Sequence, residues 1–307
     1  MSVANNLHEV SELPEVAVLL ATHNPTETIE EQINSIYAQN SVKVKIYWGD
    51  DRSTEASKDY VRKLLAGKNY LEIKDSGVGA TKNFLHLLRF PNEQYIAFSD
   101  QDDIWLPEKL IQHVSLIKDS SDLPALSHSN SMVLKNGKTS KKKSVCQDHT
   151  FYQLSWQNCV QGCTILLNSK AQQLLNSMPQ NYVLAHDWWA AQVISLYGKI
   201  FFNENVDLLY RIHSENEVGL PVTVARVKRS LSRPPNVQSR QALEILQHEI
   251  TLRVLNLFEV EAMQGYWAQI SSGGWLLRLK IALMGEKARK SVLEDLWRRL
   301  IMVAKAP

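Results

Sequence analysis

The chain has 307 residues, too many for one small core and about right for one large domain with an appendage. With 44% hydrophobic and 21% charged residues and only 12 Gly and 10 Pro, its composition excludes a disordered or fibrous protein. The net charge of +2 hides a split: residues 1–220 carry 20 Lys+Arg against 25 Asp+Glu (−5), and residues 221–307 carry 14 against 7 (+7), which points to two parts with different partners.

In chain order, Val16–Leu20 is a short apolar run, as expected of a strand buried on both faces. It stops at Asn24-Pro25-Thr26-Glu27, which reads as a helix start with Asn24 as cap, Pro25 as first helical residue and Glu27 as capping-box partner. Ile29, Ile33, Ile36 and Tyr37 follow at helical spacing. Val42, Val44 and Ile46 then alternate with Lys43, Lys45 and Tyr47 in a second strand that ends in Gly49-Asp50-Asp51. A helix with Tyr60, Val61, Leu64 and Leu65 comes next, then a strand at Tyr70–Lys74. Gly77 and Gly79 open a helix carrying Phe84, Leu87 and Leu88. The strand Tyr95–Ser99 ends in Asp100-Gln101-Asp102-Asp103, and Leu106, Leu110, Val114 and Ile117 mark another helix. Repeated βα units of this length imply a mainly parallel sheet covered by helices on both faces.

Beyond residue 124 the order loosens. Ala125–Leu134 and Thr164–Leu167 read as strands, with a solvated lysine-rich loop, Lys135–Lys143, between them. Ala171–Met178 and Asp187–Tyr197 read as helices, and Ile200–Phe202 and Val206–Tyr210 as two short strands. A boundary near residue 220 divides a catalytic domain, 1–220, from a basic helical extension, 221–307. Within the extension, residues 240–268 read as one long amphipathic helix. Cys146, Cys159 and Cys163 are too few for a disulfide framework and point to a reducing compartment; Cys159 and Cys163 read as small buried hydrophobes. MSVANNLHEV has no signal-peptide pattern, and no apolar run is long enough to span a bilayer, so a cytoplasmic or peripheral protein is expected.

In an open α/β sheet, ligands bind outside the carboxyl ends of the strands. This sequence places Thr22-His23-Asn24, Asp50-Asp51 and Asp100-x-Asp102-Asp103 at those ends. Clustered carboxylates repel one another unless a cation or ligand offsets them, and hard oxygen ligands suit magnesium or manganese. Helix caps or solvated turns are the plainer explanation of each pair; three acids directly after an apolar strand outrun it. The chain lacks GxxxxGK[ST], a third glycine at the dinucleotide spacing, and GxSxG, which argues against P-loop, dinucleotide-binding and hydrolase readings.

These pieces together resemble the inverting glycosyltransferases of family 2, with the GT-A fold. Ala21-Thr22-His23-Asn24 is similar to the opening T-x-N motif, and Gly49-Asp50-Asp51-Arg52-Ser53-Thr54 to the Asp-Asp-x-Ser turn that holds the nucleoside. Gly77-x-Gly79-Ala80-x-x-Asn83 resembles the segment beside the donor. Phe98–Lys109 resembles the D-x-D-D segment with its trailing aromatic, Pro and acidic-basic pair. Gln161-Gly162-Cys163-Thr164, His186-Asp187-Trp188-Trp189 and Tyr210-Arg211-x-His213-x-x-Asn216 resemble the bacterial rhamnosyltransferase branch, whose members use dTDP-L-rhamnose to build cell-surface polysaccharide.

The resemblance implies roles. Thr22, Asn24, Asp50 and Asp51 would line the nucleoside pocket. Gly79, Lys82 and Asn83 would lie near the donor, although Lys82 is equally well a plain surface lysine. Asp102, with Asp100 and His213, would ligate a divalent metal, Mg2+ or Mn2+. Asp100 would also reach the ribose, and Asp103 would either join them or cap the next helix. Arg211 would contact the diphosphate. Asp187 would be the general base, with Gln161, Gly162, Trp188 and Trp189 on the acceptor side; the two Trp are alternatively core.

The basic residues Arg226, Lys228, Arg229, Arg233, Arg240, Arg278, Lys280, Lys287, Arg289, Lys290, Arg298, Arg299 and Lys305 alternate with Trp and Leu. Such helices would either lie on an anionic membrane, suiting a lipid-linked acceptor, or pack on the catalytic domain with a solvated face. Nothing accompanies the charge that would suit nucleic acid. Two rivals remain: a catalytically silent sugar-nucleotide fold acting as an assembly partner, and a nucleotidyltransferase, whose basic glycine-rich loop Ala21–Thr28 lacks.

Overall fold

The computed structural model describes residues 12–141, 149–156, 158–212 and 237–248. The strands are β1 (Glu15–Thr22), β2 (Lys43–Asp50), β3 (Tyr70–Ile73), β4 (Tyr95–Ser99), β5 (Ile104–Trp105), β6 (Ala125–Lys135), β7 (Lys138–Lys141), β8 (Leu166–Asn168) and β9 (Lys199–Arg211). They form one sheet in the order β3-β2-β1-β4-β8-β6-β9-β5, with β7 paired to β6. The helices are α1 (Thr28–Tyr37), α2 (Glu55–Leu65), α3 (Ala80–Leu87), α4 (Lys109–Ile117), α5 (Phe151–Trp156), α6 (Ser169–Ser177), α7 (His186–Tyr197) and α8 (Val237–Gln247).

Period-two alternation sorts the two cores. Val16, Val18 and Leu20 of β1 pack with Ile29, Ile33 and Ile36 of α1, Val61 and Leu65 of α2, and Leu110 and Val114 of α4. Their neighbours Ala17 and Leu19 face the other way, onto Phe84 and Leu87 of α3, Leu175 of α6 and Trp189 and Val193 of α7. Each large side chain buried this way stabilises the fold by about 1.5–3 kcal/mol before entropy is counted.

Strands β3, β2, β1 and β4 run parallel, whereas β8 runs antiparallel to both β4 and β6. Because β6 and β9 are parallel to each other, the carboxyl ends of β1, β2, β4 and β9 and the amino end of β8 share one rim. That rim is where the sequence concentrates its polar motifs.

Several expectations are corrected. The capping box at Asn24 does not form: α1 begins at Thr28 with Glu27 at its N-cap and no side-chain cap. Asn24 has φ 42°, and its amide oxygen instead accepts from the Thr54 backbone N–H at 3.2 Å, closing the β2–α2 turn. The lysine-rich loop is partly the β6–β7 hairpin, turned by Asn136 and Gly137, both at positive φ, as such a two-residue turn requires. The two short strands after α7 are one, β9, because it bulges opposite Ser129–Met132 of β6 and so absorbs its polar interruption. Cys159 is disulfide-bonded rather than a free apolar residue, while Cys163 is a free, buried thiol. Helix α8 buries Ala242, Ile245 and Leu246 in the core shared with α3, α6 and α7. The boundary near residue 220, the helix beyond His248 and the remaining basic positions lie outside the described residues. Among the described residues, no helix is long and apolar enough to cross a membrane.

Candidate active site

At the β1–β2 end, Asp50 is a structural knot. Its Oδ2 accepts from Thr22 Oγ1 at 2.8 Å and Ser53 Oγ at 2.6 Å, and its Oδ1 accepts from the Ser53 N–H at 2.8 Å. Behind it, the Trp48 indole donates to Thr22 Oγ1 at 2.9 Å, and Asn24 N–H donates to Ser53 Oγ at 2.6 Å. The two neighbouring motifs are therefore one hydrogen-bonded unit. Asp51 faces the other way: its Oδ2 accepts from the Gly79 N–H at 2.6 Å, which places a carboxylate at the amino end of α3, where the helix dipole favours it. Gly79 has φ 86°, a backbone state that costs glycine nothing. Gly77 is required for another reason, since a Cβ there would sit 2.5 Å from Lys82 Cβ. Lys82 itself is exposed, whereas Asn83 is buried and donates to the Gly49 carbonyl at 2.9 Å, so Asn83 shapes the turn from below.

At the β4 end the chemistry differs. Asp100 and Asp102 are half-buried, but Asp103 is 0% exposed and its Oδ2 has no hydrogen-bond partner among the described residues. Its Oδ1 accepts from the Arg211 N–H at 3.3 Å. Burial first, and then the neighbouring Asp102 charge, push the Asp103 carboxyl up to about 7. Donor atoms of Asp100, Asp103 and Cys163 all lie within 4.8 Å of one another. Asp102 is outside that trio; its carbonyl accepts from Arg211 Nε at 3.0 Å. Arg211 also reaches Glu31 of α1, so as placed it clamps the acidic loop to α1. Below the loop, buried Asp207 accepts from Ser129 Oγ at 2.7 Å, pairs with His113 Nε2 at 2.7 Å, and lies 3.6 Å from the Lys109 ammonium. Its own carbonyl accepts from the Leu106 N–H at 2.8 Å, which anchors the chain leaving the D-x-D-D segment.

The third side of the rim is the start of α7. Asp187 Oδ2 accepts from the Gly162 N–H at 3.1 Å and Oδ1 from the Trp188 N–H at 2.6 Å, so the backbone fixes the carboxylate's aim. Next to it, His186 lies between Phe84, at 4.2 Å between ring centroids, and Phe98, at 5.0 Å. A Cβ on Gly162 would come within 2.8 Å of His186 Nε2, so only glycine fits that turn without displacing the histidine. Gln161 is half-buried, and its side-chain oxygen accepts from Ser131 Oγ at 2.8 Å. The reading of Trp188 and Trp189 as sugar platforms is corrected: they are 7% and 1% exposed, and a buried indole presents no face to a ligand. Residues Trp188–Ile194 are buried without a break, as in a helix that is apolar all round. His213 lies outside the described residues. Sequence reasoning missed Trp48, Glu31, Lys109 and Asp207 as partners of the site, and Cys163 as a neighbour of its acids. Lys109 and Cys163 stand inside quoted motifs, and that position was their only signal.

Comparison with known proteins decides the class. The family model Glycosyl transferase family 2 matches residues 17–170. The chain belongs to this family. Among curated family relatives, the dTDP-rhamnosyl transferase RfbG of Shigella flexneri is 28% identical over 230 residues, 68% of this chain and 77% of that protein. The UDP-Glc:alpha-D-GlcNAc-diphosphoundecaprenol beta-1,3-glucosyltransferase WfgD of Escherichia coli is 25% identical over 175 residues, 57% of this chain and 67% of that one. Of solved structures, S. aureus TarS in complex with UDP-GlcNAc superposes with a TM-score of 0.58 at 15% identity, over 95% of this chain and 82% of that one. A longer TarS chain is covered to 46%. The mannosyltransferase PcManGT from Pyrobaculum calidifontis, in complex with GDP-Man and Mn2+, gives a TM-score of 0.53 at 16% identity, over 96% and 87% of the two chains. At these identities the structural likeness establishes the GT-A fold. This family 2 protein is thus a glycosyltransferase, and its sheet, packed between two helical layers, is that of its class.

Proposed function

We propose that this enzyme transfers L-rhamnose from dTDP-L-rhamnose, with inversion and with the help of a divalent metal, to a glycan or lipid-linked acceptor in bacterial cell-surface polysaccharide synthesis. The observation that carries the reading is the meeting of the Asp51 turn, the Asp100–Asp103 loop and Asp187 on one rim of the sheet. The donor sugar rests on the named activity of RfbG.

Asp51, with Thr22 and Asn24, holds the nucleoside, and Asp50 keeps that turn in shape. Gly79 and Lys82 border the donor, and Arg211 exchanges its Glu31 contact for the diphosphate. The oxygen-rich end of β4 fits Mg2+ or Mn2+, because Asp103 has a buried oxygen with no hydrogen-bond partner among the described residues and burial penalises its charge. Asp100, Asp102 and His213 would hold the cation. When bound, it supplies neutralisation of the charge that develops on the departing nucleoside diphosphate. Asp187 takes the proton from the acceptor hydroxyl as that oxygen attacks the anomeric carbon. A base rather than a carboxylate nucleophile suffices for single displacement with inversion. Gly162 and Gln161 border the acceptor, and the extension contributes contact with the inner face of the membrane.

A UDP-hexose donor is the second reading, favoured by the named activity of WfgD. Thermal shifts with dTDP-, UDP- and GDP-sugars, with and without Mn2+, separate the two. A ligand at a hundredfold its Kd stabilises by about 2.7 kcal/mol. A metal-dependent response to dTDP-rhamnose alone is the expected result. A response confined to UDP-sugars would replace the donor, and silence across the panel would overturn the catalytic reading.

A further inference from the structure

The antiparallel strand β8 brings a sulfur ligand to the acidic end of β4. Its amino end lies beside the carboxyl end of β4, and the single 3-10 turn Gly162–Thr164 leading into it carries Cys163. The thiol is free, 1% exposed and within hydrogen-bonding reach of the Asp103 carboxylate. One donor atom each from Cys163, Asp103 and half-buried Asp100 lie within 4.8 Å of one another, close enough to share one ion. A second, separate observation points to a ligand. Asp103 Oδ2 is shielded from solvent and has no hydrogen-bond partner among the described residues, a costly arrangement for a charged carboxylate unless a cation offsets it.

We propose that Cys163, Asp103 and Asp100 form a site for thiophilic divalent cations, Zn2+ and Cd2+, which overlaps the centre for the hard activating ion through Asp100 and excludes that ion when filled. The proposal rests on the reading of the Asp100–Asp103 loop as the metal centre. Ligand softness is the physical basis. A set of oxygens favours Mg2+ or Mn2+, whereas one thiolate among carboxylates turns the preference toward zinc-like ions. Binding forms an S–metal bond, breaks the S–H bond and releases one proton to solvent, with no change of oxidation state. Both sets of ligands use Asp100, so soft and hard ions compete.

The test uses the purified full chain and two readouts. Cd2+ is titrated while the thiolate-to-cadmium ultraviolet absorption is followed, and bound Mn2+ is then measured by the electron paramagnetic resonance of free Mn2+ as Cd2+ is added. The wild type develops the cadmium–thiolate band and loses bound Mn2+. Cys163→Ser binds Mn2+ as before, which shows that it is folded, but lacks the band and needs about tenfold more Cd2+, or beyond, to release Mn2+, at least the loss that removing an outer-sphere partner causes. A full band in Cys163→Ser, or Cd2+ binding that leaves Mn2+ in place, overturns the proposal. Mn2+ binding by the wild type with no cadmium–thiolate band overturns it while leaving the metal centre standing; absence of Mn2+ binding altogether overturns the metal centre and this site with it.

Discussion

Two acidic turns sit on the same rim and solve opposite problems. In the Asp50–Asp51 turn the carboxylate oxygens are committed: Asp50 accepts from Thr22 and twice from Ser53, and Asp51 accepts from Gly79 and Arg52. In the Asp100–Asp103 loop, a fully buried carboxylate has an oxygen without a hydrogen-bond partner among the described residues, and burial raises its proton affinity. The first turn is complete without a ligand, whereas the second carries an electrostatic cost that a cation would offset. Identical residue types thus rest fully hydrogen-bonded in one place and electrostatically unsatisfied in the other. What distinguishes them is the supply of nearby N–H and O–H donors.

The contrast can be sharpened by substitution, beginning with the largest expected effect. Asp187 belongs to neither turn. Asp187→Asn should keep donor affinity while turnover falls by about 10²–10⁴-fold, the usual contribution of a positioned base; single-turnover transfer measures it, and retained turnover would remove Asp187 from the role. Asp102→Ala should abolish metal-dependent donor binding in a calorimeter, a loss of roughly several kcal/mol, with the melting temperature little changed. Asp50→Ala should do the reverse, costing about 2–3 kcal/mol of stability in urea melts while Mn2+ affinity is retained. If Asp50→Ala also abolished Mn2+ binding, the two turns would be one functional unit and the contrast would fail. Thr22→Val, which cuts the link between Trp48 and Asp50, should cost about 1–2 kcal/mol.

A further effect, confined to acid conditions, concerns pH. Burial lowers the proton affinity of His113 and His186 and brings His128 down to about 3. Below their ordinary value the unfolded chain binds protons that the folded chain refuses. Stability should therefore fall as the pH drops from about 6.5 toward 3. His128→Gln should flatten that acid limb in urea melts at stepped pH; an unchanged slope would show that His128 takes no part.

Local signals were the ones the sequence carried well. The apolar run of β1, the alternation in β2, the 3.6-residue spacing of Ile29, Ile33 and Ile36, and the acids closing β2 and β4 are all set by neighbours along the chain, so they could be read directly. Features set across space could not. The oxygen of Asn24 looks like a helix cap until Thr54, 30 residues on, claims it. The two residues of β5 and the six of α5 are too short to show any period. The opposite direction of β8, and with it the approach of Cys163 to Asp103, depends on pairing that no motif encodes. The tryptophans of α7 misled by chemical type, although the uninterrupted apolar run after Asp187 was visible and argues for a core helix.

The shared direction of β1, β2 and β4 also has a practical use. Their amino ends emerge at the rim opposite the carboxylates, and β1 spans eight residues between the two rims, about 26 Å of extended chain. A surface tether or fusion partner that enters at Glu15 therefore stands a strand's length away from where substrates arrive. Immobilising the protein by that end would leave the reactive face turned outward, toward whatever acceptor is presented in solution or on a vesicle.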